Sequence, residues 1–128
     1  MKKFILIVIM IMGLNFHGFA RENDVEDMNV PEFSRFIEQK DVQLLDVRTP
    51  EEYDAGHIAG AVNIDIFDDG FLNEALERLD KSKPVAVYCR SGKRSADAAN
   101  LLSSEGFKVT NLLGGILAWE DDKKPIEK

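Results

Sequence analysis

The sequence predicts an α/β fold, a parallel sheet with helices on both faces. Short apolar strands alternate with amphipathic helical stretches along the chain. The run Val85, Ala86, Val87, Tyr88 is apolar without alternation, as expected of a strand covered on both faces. Start and stop signals for helices punctuate the rest.

After a polar lead over residues 21–29, Pro31 opens a helix whose Phe33, Phe36 and Ile37 fall at helical spacing. Leu44, Leu45, Asp46 and Val47 form a short strand. Thr49, Pro50, Glu51 and Glu52 then make a capping box with proline in the first turn, and Gly56 is placed to end that helix. Residues 61–64 read as a second short strand. Leu72, Ala75, Leu76 and Leu79 give a third amphipathic helix, closed by a turn over residues 80–84. After the strand at Val85 to Tyr88, Ser95 starts a helix with Ala98, Leu101 and Leu102 inward and Gly106 beyond its end. Residues 109–113 form a last strand, and Gly114 and Gly115 turn it into a helix carrying Ile116 and Trp119. Residues 121–128 read as a loose tail. No repeat or second domain is visible.

Residues 1–20 read as a secretory signal peptide. Lys2 and Lys3 precede an apolar run over residues 4–12, and Gly18, Phe19 and Ala20 supply small residues around a cleavage site after Ala20. The run is too short to span a bilayer, which needs roughly 18 or more apolar residues. Residues 21–128 are then one exported domain, periplasmic or extracellular, without stable membrane association. Cleavage takes two lysines from the 16 basic residues and none of the 23 acidic ones, leaving a formal charge of −9. Such a chain is a poor partner for nucleic acid or anionic membranes.

Against that acidity stands one segment. Cys89, the only cysteine, opens the run Arg90, Ser91, Gly92, Lys93, Arg94, Ser95, with three cations and no acid. In open α/β sheets, ligands bind where strand ends run into helices, and Cys89 directly follows a strand. Gly92 permits the loop to curl so that successive N–H groups converge on one centre. Those dipoles, a helix N-terminus and the charges of Arg90, Lys93 and Arg94 all favour thiolate over thiol. Such surroundings lower a free-thiol pKa of about 8.5 to roughly 3.5 to 7.5. The same field would hold an incoming oxyanion. Cys89 is thus the expected nucleophile, and Arg90, Ser91, Gly92, Lys93, Arg94 and Ser95 are the expected substrate-binding residues. Ser91 and Ser95 offer hydroxyl donors, with helix capping an equal use for Ser95. No metal is expected, since one cysteine and one retained histidine supply too few ligands, and no cofactor is called for.

Several separated motifs resemble the single-domain rhodaneses, a sulfurtransferase family. They are Leu45, Asp46, Val47, Arg48 with Pro50, Glu51, Glu52, Tyr53; Gly56, His57, Ile58, Ala59, Gly60, Ala61 with Asn63, Ile64; the Cys89 loop; and Leu113, Gly114, Gly115, Ile116 with Ala118, Trp119. The resemblance implies a rhodanese-like three-layer domain with about five parallel strands. It also implies a ping-pong reaction: Cys89 takes a sulfane sulfur from a small anionic donor such as thiosulfate, then passes it as a persulfide to cyanide or a thiol acceptor. An exported thiol protein is one such acceptor.

Rival readings remain open. A phosphatase loop carries arginine six positions after cysteine; here Ser95 holds that position and the arginine is Arg94. A persulfide carrier without small-substrate turnover needs the same Cys89. A Cys–His hydrolase would need His57 to reach Cys89, whereas its setting suits a turn residue that hydrogen-bonds locally. Asp46 and Arg48 are read as an ion pair, and Trp119 as core.

Overall fold

The computed structural model describes residues 24–128, so the expected leader over residues 1–20 and its expected cleavage lie outside the described residues. Five strands, β1 (Val25–Met28), β2 (Gln43–Asp46), β3 (Val62–Asn63), β4 (Val85–Tyr88) and β5 (Val109–Leu112), form one sheet. Its order is β1-β5-β4-β2-β3 and every pairing is parallel. Between and after them lie α1 (Val30–Phe36), α2 (Pro50–Ala55), α3 (Phe71–Arg78), α4 (Lys93–Ser104) and α5 (Gly115–Asp121). Among the described residues no helix is long and apolar enough to cross a membrane.

Chain direction sorts the helices into layers. The steps β1 to β2 and β2 to β3 move toward one edge of the sheet, whereas β3 to β4 and β4 to β5 move toward the other. Parallel crossovers share one hand, so opposite steps put their helices on opposite faces. One face accordingly packs Phe71 and Ala75 of α3 and Ala98, Ala99 and Leu102 of α4 on Leu45, Val85, Val87 and Val109. The other packs Val30 and Phe33 of α1 and Ile116 and Trp119 of α5 on Leu44, Ala86, Tyr88 and Leu112. Phe33 meets Trp119 edge-on, with ring centroids 6.5 Å apart. β4 is buried at every position, as its unbroken apolar run requires.

Local chemistry sets the helix ends. Asn29 caps α1 and Thr49 caps α2, each in a full capping box closed by Glu32 and Glu52 respectively. The Asp46–Arg48 pair behaves as its sequence suggests: both residues are buried, and the guanidinium forks onto the carboxylate, with Nη2 to Oδ2 at 2.7 Å. Arg48 Nη2 also donates to the Gly56 carbonyl at 2.7 Å, fixing the end of α2.

Four expectations are corrected. The polar lead holds β1, an edge strand whose Glu26 and Asp27 face solvent while its ladder pairs with β5; its mixed side chains hide a strand that only one neighbour pairs. α4 begins at Lys93, not Ser95, because the left-handed Gly92 makes the turn into the helix. Leu101 is 42% exposed on the outer side of α4. The tail is docked: Trp119 Nε1 donates to the Pro125 carbonyl at 2.8 Å, and His57 and Glu127 exchange two backbone hydrogen bonds of 2.8 Å. An indole N–H buried in the core needs an acceptor, and the returning tail provides it.

Candidate active site

Cys89 is the first residue after β4, wholly buried at its backbone turn into α4. It stands beside the carboxyl end of β2, its neighbour in the sheet. Connections from β2 and β4 run in opposite directions, which makes this the crevice where ligands of open α/β sheets bind. The loop from Arg90 to Gly92 bends back so that Gly92 N donates to Cys89 Sγ at 3.1 Å. Gly92 has φ +104°, a left-handed conformation, and a Cβ there would crowd Gly114 N at 3.3 Å.

The first turn of α5 holds this loop from outside. Ile116 N donates to the Cys89 carbonyl at 2.9 Å, and Leu117 N donates to the Arg90 carbonyl at 3.2 Å. With the Arg90 carbonyl turned out to α5, the Ser91 N–H of the same peptide unit is left facing the sulfur, beside those of Gly92 and Ser95. Gly115, φ +61°, makes the approach possible: a Cβ on it would run into the Arg90 carbonyl. Sequence reasoning assigned this glycine only a strand-to-helix turn; nothing local in the sequence states that it abuts a loop two dozen residues earlier.

Burial pushes the Cys89 thiol up. The Ser95 hydroxyl and the N–H groups of Ser95, Gly92 and Ser91 pull it down by more, so the thiol lies below its ordinary value. Of the influences expected here, the backbone dipoles lead, joined by the Ser95 hydroxyl, and the charge of Arg94 also reaches the sulfur. Ser95 is the third residue of α4, fully buried, and caps nothing. Its Oγ is buried and has no partner other than the Cys89 sulfur to donate to. Leaving a buried hydroxyl unpaired costs about 1–3 kcal/mol, which favours the thiolate that accepts from it.

The cations divide two ways. Arg90 and Lys93 are exposed at the loop's rim. Arg94 is committed: Nη1 meets Glu52 Oε1 at 2.8 Å and Nη2 meets Oε2 at 2.9 Å, while its guanidinium lies 5.5 Å from the centre of the Phe67 ring. Glu52 was legible as a capping residue of α2, not as a partner of the Cys89 loop. The Arg94 guanidinium, with Thr49 adding hydrogen bonds and burial opposing, holds the Glu52 carboxyl at about 2 against an ordinary 4.5.

His57 does not serve the thiol. Its Nδ1 lies 2.9 Å from the Tyr53 carbonyl, which only accepts, so Nδ1 carries the proton there. Its ring stacks on Tyr53 at 3.7 Å, and Nε2 faces Glu127 Oε2 at 3.8 Å. A Cys89–His57 dyad has no geometric support.

Gly115→Ala is expected to destabilise the fold by more than about 1 kcal/mol and to move the pH profile of Cys89 alkylation upward, because the displaced Arg90 carbonyl unseats the inward N–H groups; an unchanged profile would show that the loop does not lean on α5. Glu52 makes a signed prediction for stability. Its folded-state carboxyl is depressed, so its contribution is complete above pH 4.5 and disappears as pH falls toward about 2. Urea denaturation should lose more stability across that window in the wild type than in Glu52→Gln.

Comparison with known proteins agrees with this geometry. The family model of the rhodanese-like domain matches residues 29–122. A sulfurtransferase of Allochromatium vinosum is 37% identical over 93 residues, covering 72% of this chain and 84% of its own. Thiosulfate sulfurtransferase GlpE of Coxiella burnetii is 38% identical over 85 residues, covering 66% of this chain and 77% of its own. The crystal structure of a rhodanese-related protein from Thermoplasma volcanium superposes with a TM-score of 0.71 at 33% identity, covering 80% of this chain and 97% of that one. With a five-stranded parallel sheet, a thiol at the switch point and this family match, the chain belongs to the rhodanese-like domain family.

Proposed function

We propose that the protein is a sulfurtransferase that carries a sulfane sulfur as a persulfide on Cys89. One observation carries the reading: N–H groups and the buried Ser95 hydroxyl converge on the sulfur of a thiol held below its ordinary pKa. A relative named as a thiosulfate sulfurtransferase supports thiosulfate as donor.

In the first half-reaction the Cys89 thiolate attacks the outer sulfur of thiosulfate. A sulfur–sulfur bond forms to Sγ, the bond within thiosulfate breaks, and sulfite leaves with the electron pair. Arg90 and Lys93 at the rim attract the dianion. The persulfide's outer sulfur then occupies the space that Ser95 and the loop N–H groups face, which satisfies the buried hydroxyl. In the second half-reaction cyanide or an acceptor thiol attacks that outer sulfur, and the Cys89 thiolate leaves, stabilised by the same donors. Preorganised dipoles serve both steps because negative charge returns to one place twice. Phosphoryl transfer is the poorer match: Arg94, the cation nearest in sequence to the phosphatase position, is held by Glu52.

The leader pattern in residues 1–20 supports an exported location, periplasmic or extracellular. With one cysteine in the chain the persulfide has no internal thiol to resolve it, so its acceptor is external, an exported thiol protein being one candidate.

Intact mass after incubation with thiosulfate should show one added sulfur, lost again on adding cyanide. Cys89→Ser should show none while keeping the wild-type circular dichroism spectrum. An unloaded wild type, or sulfur retained in Cys89→Ser, would sink the assignment.

A further inference from the structure

Glu52 is used twice. Its Oε1 accepts from Thr49 N at 3.1 Å and from Thr49 Oγ1 at 3.1 Å, closing the cap of α2, and both oxygens take the fork of Arg94 from the first turn of α4. The pair spans the crevice between the ends of β2 and β4, 42 residues apart in sequence. Phe67, 69% exposed, covers the guanidinium from the α3 side. Both side chains of the pair are largely withdrawn from water, at 20% and 28% exposure. A bidentate, partly desolvated pair of this kind is not an incidental surface contact.

Capping does not require this arrangement, because a glutamine caps as well as a glutamate and needs no arginine. The negative charge has a different consequence. Of three cations in the Cys89 loop, one is neutralised in place. Arg94 lies close enough to Cys89 for a thiolate there to reinforce its protonation, after Glu52 has done so. Released from Glu52, its planar fork would match a tetrahedral oxyanion bidentately.

We propose that Glu52 is a specificity-determining residue that withholds Arg94 from the anion cradle, keeping tetrahedral oxyanions weakly bound. The inference rests on reading the Cys89 loop as an anion cradle, but not on sulfur transfer itself. The chemistry explains the use. The donor half-reaction releases sulfite, an oxyanion much like the donor's own headgroup. A third cation would bind donor, product and unreactive phosphate or sulfate alike. Uniform tightening of that kind lowers KM without raising kcat, and it slows product departure. Two free cations attract the donor; the third, tied to Glu52, does not hold back the departing sulfite.

The test uses inorganic sulfate as the probe and its protection of Cys89 against iodoacetamide as the readout, so no turnover is needed. Four chains are compared: wild type, Glu52→Gln, Arg94→Ala and the double variant. Glu52→Gln keeps the cap and frees Arg94, and sulfate should protect it at about tenfold lower concentration. Arg94→Ala exposes an unpaired carboxylate and should require more sulfate than wild type. The double variant, which has lost a neutral pair, should match wild type. If Arg94 instead serves the cradle directly, Glu52→Gln changes little and the double variant is as weak as Arg94→Ala; that pattern overturns the proposal. Should Glu52→Gln fail to fold, the double variant against Arg94→Ala decides the matter alone. The expected sulfate pattern in a chain that takes no sulfur from thiosulfate would refute the sulfurtransferase reading and leave this one standing.

Discussion

The carbonyls of Cys89 and Arg90 point out of their loop into the first turn of α5, where the N–H groups of Ile116 and Leu117 donate to them. A peptide unit has two ends, and anchoring the Arg90 oxygen outward commits the Ser91 N–H inward. That constraint, with the left-handed turn at Gly92 and the first turn of α4, makes a focus of donors out of a strand-to-helix connection. It needs no charged side chain, so it survives in a chain whose net charge is −7. It does need the backbone of α5 to come very close, and Gly115 is the residue that permits this.

The sheet order explains why the focus lies where it does. Because β2 and β4 are neighbours whose connections depart in opposite directions, their carboxyl ends leave a crevice that neither following helix fills. α2 and α4 open on its two sides, and Glu52 and Arg94, each in the first turn of its helix, close it with one fork. Around the thiol, then, backbone dipoles stabilise negative charge and rim cations attract it. An acid on the far side of the crevice limits how much is attracted. Arg48 and Asp46 stay beneath this arrangement as a buried brace for α2, and His57 faces the tail rather than the sulfur.

Elements with strong local signals were legible from the sequence. The apolar run of β4, the capping box at Thr49 and the spacing of Ala75 and Leu79 each reflect physics acting within a few residues, and the alternation of types was enough to predict a parallel sheet. β1 escaped notice because an edge strand with two solvent-facing acids carries little hydrophobic pattern. The tail was misread for a related reason: Pro125 and Glu127 are held through backbone atoms, which no side-chain pattern announces. At the site, Cys89 and its loop were visible because so many cations are anomalous in an acidic chain. That anomaly gave the cations equal standing with the converging N–H groups, whereas the N–H groups and Ser95 come first. The Glu52–Arg94 fork was unreadable, because its two halves lie on different helices and each has a sufficient local explanation.

The central claim is that the cradle's dipoles, not its rim charges, set the state of Cys89. The most direct measurement is the pH profile of Cys89 alkylation in a chain carrying both Arg90→Ala and Lys93→Ala, compared with wild type at low and high salt. Exposed charges are screened within a Debye length of about 10 Å at 0.1 M salt, whereas fixed N–H groups in contact with the sulfur are not. The account predicts that the double variant keeps the wild-type profile and that salt leaves it in place. A profile displaced to higher pH by the substitutions, and likewise by salt in the wild type, would contradict it.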